Sequence, residues 1–216
     1  MYDHQISIHP FLPVVGVVSS LITFGFCIAL VLYPLSMHYD GTLHFISDGM
    51  NAYAGWSGAV LGSTGMFIGL CEMVAALHTN NLSLLTAVFV QAPSWCILIG
   101  VSGTGWPIHY ISLVIFLSST HYFHYQFAAS HPMASSLYHR LNLFTLMNLL
   151  LLLISFTITH CLPSTGSAER IWLDITVSFE LTLMGCVTAQ NLCVAWVLNQ
   201  YKDIHILFEH YNDDVF

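Results

Sequence analysis

Runs of about twenty apolar residues, roughly six in number and joined by short links, leave this chain few folds to choose from. In hydrocarbon every backbone amide must be satisfied within its own segment, so runs of this length are read as membrane-spanning helices. The balance of residues agrees: 56% are hydrophobic, 6% charged, and the mean hydropathy is +0.73 across 216 residues, too little polar surface for a soluble globule. The expected architecture is all-α: a polytopic membrane protein, one bundle of about six transmembrane helices occupying residues 1–216 as a single domain. With three basic residues in the whole chain, a nucleic-acid partner is not expected, nor is a polybasic headgroup patch. The start of the chain lacks a basic leader, and its first apolar run reads as an uncleaved span.

The expected spans cover residues 14–35, 55–78, 83–101, 109–129, 141–159 and 171–198. Pro34 is expected to close the first, and Pro93 to kink the third. The longest internal link, residues 38–53, is polar. Counting Arg140, Arg170 and Lys202 by the positive-inside rule puts both termini in the cytoplasm and gathers the links 38–53, 100–107 and 160–170 on the other face. Asn81-Leu82-Ser83 matches a glycosylation sequon but lies too near a span to be used as one.

The second span carries the most regular pattern. Gly55, Gly58, Gly62, Gly65 and Gly69 recur at steps of three and four, and Glu72 and Ala76 extend the series along one helix face. Such a stripe lets a neighbouring backbone come close, so these positions are read as a helix-packing surface, which a membrane-protein partner would use as a docking seam. Glu72 is then either held in a protein groove or wetted near the membrane end. The proposed topology takes it toward the cytoplasmic end and favours packing over chemistry.

The sixth span aligns Thr176, Glu180 and Asn191 on one stripe, separated by four and eleven residues. Glu180 sits two to three turns into the apolar run, so an inward orientation is expected, either as a hydrogen-bonding anchor or in lipid or ion handling. In the fourth span, His121 and His124 stand one turn apart among Tyr110, Tyr122 and Tyr125. An aromatic belt at the membrane interface accounts for them better than a metal site, which needs three or four ligands. His38, Asp40, His44, Asp48, His109 and His160 share the proposed outer face, where a zinc hydrolase acting on lipid would need them, but none shows the tight spacing of a ligand pair. No nucleophile elbow, phosphate loop or paired-cysteine motif is present, so no catalytic residue, metal or cofactor is assigned, and an enzyme is not the favoured reading. The fifth span, with Leu149 to Leu153 unbroken leucine, is the one least expected to carry function.

Three short elements resemble one superfamily. Phe45-Ile46-Ser47-Asp48-Gly49 is similar to an element after the first span of the damage-regulated autophagy modulators. Ile108-His109 with Phe116-Leu117-Ser118-Ser119 resembles the fourth span of the post-GPI-attachment factors, and Val177-Ser178-Phe179-Glu180 resembles the opening of the last helix in both branches. The resemblance implies a six-span protein of the endomembrane system (Golgi, endoplasmic reticulum or lysosome) or of the plasma membrane. Its implied work is lipid handling or trafficking, as in GPI-anchor lipid remodelling or autophagy, with membrane lipids as partners. It also marks Ser47, Asp48, His109 and Glu180 as the polar positions of interest, with Asn191 added from the helix stripe. Two alternatives stay open: a lipid-modifying metalloenzyme of the membrane, and an accessory subunit of a larger membrane complex.

Overall fold

The computed structural model describes residues 5–8, 11–38, 43–100, 106–131, 136–161, 167–200 and 204–207. Seven helices are formed among them: α1 (Phe11–His38), α2 (Ile46–Ala52), α3 (Ala54–His78), α4 (Leu82–Gly100), α5 (Trp106–Ser130), α6 (Ser136–Cys161) and α7 (Ser167–Asn199). A short strand β1 (Gln5–Ile8) pairs antiparallel with β2 (Ile204–Leu207), so the two ends of the described chain meet. The expected spans correspond in order to α1, α3, α4, α5, α6 and α7. Of these, α1, α3, α4, α6 and α7 are long and apolar enough to cross a membrane. With 25 residues α5 is as long as α3, but Ser118, Ser119, Thr120, His121 and His124 dilute its hydropathy. The protein is an all-helical, multi-pass membrane protein.

Its surface is apolar in the way a bilayer demands. Phe89, Ile111, Leu143, Leu150 and Ile154 are exposed, while Ser20, Thr64, Thr120, Asn142, Asn148 and Gln190 are buried. Several of these polar groups find partners on other helices. Thr23 Oγ1 donates to Thr64 Oγ1 (2.7 Å), joining α1 to α3, and the hydroxyls of Thr159 and Thr176 meet at 3.0 Å between α6 and α7. Asn148 Nδ2 donates to the Phe179 carbonyl (3.0 Å) at the same seam.

Three features depart from expectation. First, Pro34 lies inside α1, which continues to His38, because a proline near a helix end removes one hydrogen bond without stopping the last turn. Second, the polar link holds α2. Asp48 Oδ2 accepts the Phe45 N–H (3.2 Å), half of a capping box, and Ile46 and Met50 supply a buried face. Gly49 is what lets α2 lie on α1: a Cβ there would collide with the Leu30 carbonyl.

Third, the glycine stripe is not the seam of α3. The buried positions are Ser57, Leu61, Thr64, Cys71 and Ala75, about 100° around the helix from the glycines, joined toward the end of the helix by Val74 and by Glu72 and Ala76 of the glycine series itself. A Cβ at Gly55, Gly58, Gly62 or Gly69 would meet nothing within 4 Å. Of the five, only Gly65 is closely approached, by the Trp95 indole, whose Nε1 donates to the Leu61 carbonyl (3.0 Å). Bulk does not choose that face, since Trp56, Met66 and Phe67 are exposed; close packing and the Thr23–Thr64 and Trp95–Leu61 hydrogen bonds hold it inward. The glycines leave a groove beside that face.

The link between α3 and α4 explains the sequon. Asn80 takes φ 47°, and Asn81 Oδ1 caps α4 by accepting the Ser83 N–H at 3.0 Å.

Candidate functional site

Polar groups concentrate in two places inside the bundle. The first lies at the end formed by α2, the start of α5, the end of α6 and the start of α7. There the Leu43 N–H donates to Asp174 Oδ1 (2.8 Å), and the Ile46 N–H, the first of α2, donates to Glu180 Oε2 (3.1 Å). Asp174 and Glu180 of α7 thus hold the link that carries α2. A carboxylate at a helix start also meets the positive end of its dipole. Phe156 of α6 packs on Phe45 and Tyr110, with ring centroids 6.2 and 4.8 Å apart.

Beneath α2 a slot of about 100 Å³ runs between α5 and α6. Ser47, His109 and Glu180 stand at its polar end, and Leu113, Leu117 and Leu152 line its walls. Val114, Ser118 and Leu153 at its rim are exposed, so it opens sideways, toward the bilayer. Three of the residues marked by the sequence therefore converge. Asp48 is on the same helix as Ser47 but is exposed and spends its Oδ2 on the Phe45 cap. His109 is half-buried. Of the proposed outer-face set, Asp40 and the side chains of His38 and His160 lie outside the described residues.

The second place is the opposite half of the bundle. His124 of α5 is fully buried; its Nδ1 lies 2.8 Å from the Tyr138 hydroxyl of α6, and its Nε2 lies 3.9 Å from Glu72 Oε1 of α3. Asn142 Nδ2 donates to the His124 carbonyl (3.1 Å), while Asn142 Oδ1 accepts from Gln190 Nε2 of α7 (2.7 Å). His124 thus links α5 to α6 directly and to α7 by way of Asn142, with Glu72 of α3 alongside. Its interior position replaces the aromatic belt expected for it, whereas Tyr122 and Tyr125 of the same helix do face outward.

Glu72 borders a cavity of about 180 Å³ together with Gln91, Asn191 and Ser20. Gly62, Gly65 and Gly69 form one side of it. The glycine groove is thus the wall of a cavity, which no helix among the described residues fills. Asn191 belongs here, not with Glu180; the two are eleven residues, about 16 Å, apart along α7. Trp95, Phe116 and Met184 line both this cavity and a third one of about 50 Å³ that reaches Ser47, His109 and Glu180. Trp95 and Phe116, with ring centroids 4.8 Å apart, are part of the partition between the two acids.

Tyr138, Asn142 and Gln190 are missing from the residues marked by sequence. Their signal was present: Tyr138, Asn142, Thr145, Asn148, Leu152, Ser155 and Thr159 recur at steps of three and four, a buried polar stripe along the span judged most uniformly apolar. Among the described residues, no group of three or more His, Cys, Asp or Glu is placed to hold a metal ion, and His121 and His124 gain no third ligand. No protein-family model matches the chain, and neither the curated proteins nor the solved structures give a significant match to it.

Proposed function

We propose that this protein handles membrane lipid, receiving an amphiphile from the bilayer into the slot between α5 and α6. One observation carries the reading: the slot is apolar along its walls, polar at its end through Ser47, His109 and Glu180, and open sideways at Val114, Ser118 and Leu153. An acyl chain gains by leaving its neighbours only where shape and a polar end both fit, which distinguishes a site from plain lipid contact. Glu180 is held by the Ile46 N–H and so has a fixed geometry to offer a headgroup. The similarity of the Ile46-Ser47-Asp48-Gly49, His109 and Phe179-Glu180 elements to the post-GPI-attachment factors and damage-regulated autophagy modulators supports the same reading. It extends it to lipid remodelling or trafficking in the endomembrane system.

The role is binding and positioning, with no bond-breaking step assigned. Native mass spectrometry of the purified full chain in mild detergent tests it. The parent is expected to retain phospholipid, and both Val114→Trp, which fills the slot mouth, and Glu180→Ala are expected to lose it. Retention by a folded Val114→Trp protein would overturn the reading.

A further inference from the structure

The cavity beside Glu72 stands apart from the slot and has a chemistry of its own. Glu72 is 1% exposed, Ser20 1%, Gln91 7% and Asn191 8%, and all four border it. Both Glu72 carboxyl oxygens, Gln91 Oε1, Asn191 Oδ1 and Ser20 Oγ make no hydrogen bond of good geometry among the described residues, although the Gln91 side chain interacts with Glu72 and the Asn191 side chain with His124. Four of these five atoms are pure acceptors. No lysine, arginine or histidine lines the cavity, and His124 approaches Glu72 from outside it at 3.9 Å. Orphaned buried acceptors around a carboxylate call for a group that brings several donors and a positive charge.

The rest of the cavity selects the body of that group. Val88, Ile68 and Val187 make its lining apolar, and Met66 (65% exposed) and Cys96 mark an opening onto the outer surface between α3 and α4. At about 180 Å³ it is smaller than the sites that enclose a drug-sized ligand, so it takes a headgroup and its first carbons while a tail leaves toward lipid. We propose that this cavity binds the primary ammonium head of a hydrophobic amine, with Glu72 as counter-charge and Gln91 and Asn191 as further acceptors. A primary ammonium supplies three N–H donors in a compact charge. The glycines at 62 and 69, above which nothing lies within 4 Å of a Cβ position, are the reason the head has room to lie against α3.

Equilibrium binding of radiolabelled dodecylamine to the full chain in phosphatidylcholine nanodiscs tests this, with dodecanol and butylamine as competitors. Saturable dodecylamine binding is expected, with dodecanol and butylamine both poor competitors. Glu72→Gln should weaken it by roughly ten- to a hundred-fold, as loss of a charge-assisted pair does. Gly69→Leu should abolish it; a Cβ at that position meets nothing within 4 Å, so the substitution fills the cavity with helix α3 intact. Glu180→Gln should leave it unchanged, which separates this site from the slot. Dodecanol competing as well as dodecylamine would overturn the ammonium assignment, and butylamine doing so would overturn the hydrophobic one. Should Glu72→Gln fail to fold, the cavity variant decides: parent-like binding by Gly69→Leu protein that elutes and melts as folded rejects the site.

Discussion

Two glutamates within the spans, Glu72 buried and Glu180 half-buried, stand in different halves of this bundle, and they are held in opposite ways. Glu180 accepts a backbone N–H from α2 at 3.1 Å, and its neighbour Asp174 accepts another from Leu43 at 2.8 Å. Glu72 accepts no hydrogen bond of good geometry among the described residues; it meets the Gln91 side chain, His124 at 3.9 Å and, on its open side, a cavity. An acid that anchors backbone is accounted for by the fold, whereas a buried acid with unused acceptors is what a site retains at a cost to stability. The weighting drawn from sequence, with Glu72 for packing and Glu180 for function, does not describe their hydrogen bonding. Glu180 does structural service at the edge of the slot between α5 and α6, and Glu72 has the less committed chemistry.

Substitutions can pull the two halves apart. The largest effect is expected from Gly49→Val, since even a Cβ there meets the Leu30 carbonyl; a loss of about 3 kcal/mol, read as a drop in melting temperature in detergent, should come with loss of slot-bound lipid. Dodecylamine binding at the far cavity should persist in whatever fraction remains folded. Next is Asn142→Leu, which strands the Gln190 donor and removes the bond to the His124 carbonyl, for about 2 kcal/mol. That change should leave lipid retention in the slot untouched.

Tyr138→Phe removes a single hydroxyl beside His124 Nδ1, and about 1 kcal/mol is expected in the same melting assay. The smallest effect belongs to Glu180→Gln. Its amide oxygen still accepts the Ile46 N–H, so stability should change by about 0.5 kcal/mol or less, while lipid retention measured by mass spectrometry falls. If instead Glu180→Gln melts as early as Asn142→Leu, the charge itself holds α2 in place and the contrast between the acids weakens.

Legibility in the sequence followed length scale. Long apolar runs marked five of the large helices, α1, α3, α4, α6 and α7, to within a few residues, because the demand for about twenty apolar residues is set by the bilayer and not by neighbours. Convergence of Ser47, His109 and Glu180 was also within reach, since short links alternate the direction of successive helices and return those positions to one end. The helix α2 was not, because its seven residues show too few repeats to reveal a period, and its position rests on the Asp48 cap and the bare Gly49 contact. The polar stripe of α6 was legible but masked by the leucines around it, as apolar content answers whether a helix spans and not which face turns inward.

By itself, then, the order of residues determined an all-helical, multi-pass membrane protein and the depth of its acids within the spans. Those are properties of single segments measured against a bilayer. Only the tertiary structure decided which face of α3 is buried, because that choice rests on which helices pack and hydrogen-bond against it, as Thr23 and Trp95 do at Thr64 and Leu61. Packing likewise decided that His124 lies between Glu72 and Tyr138, not in a surface belt. A buried polar side chain takes its role from whatever donor or acceptor another helix brings within about 3 Å, and that partner is many residues away along the chain.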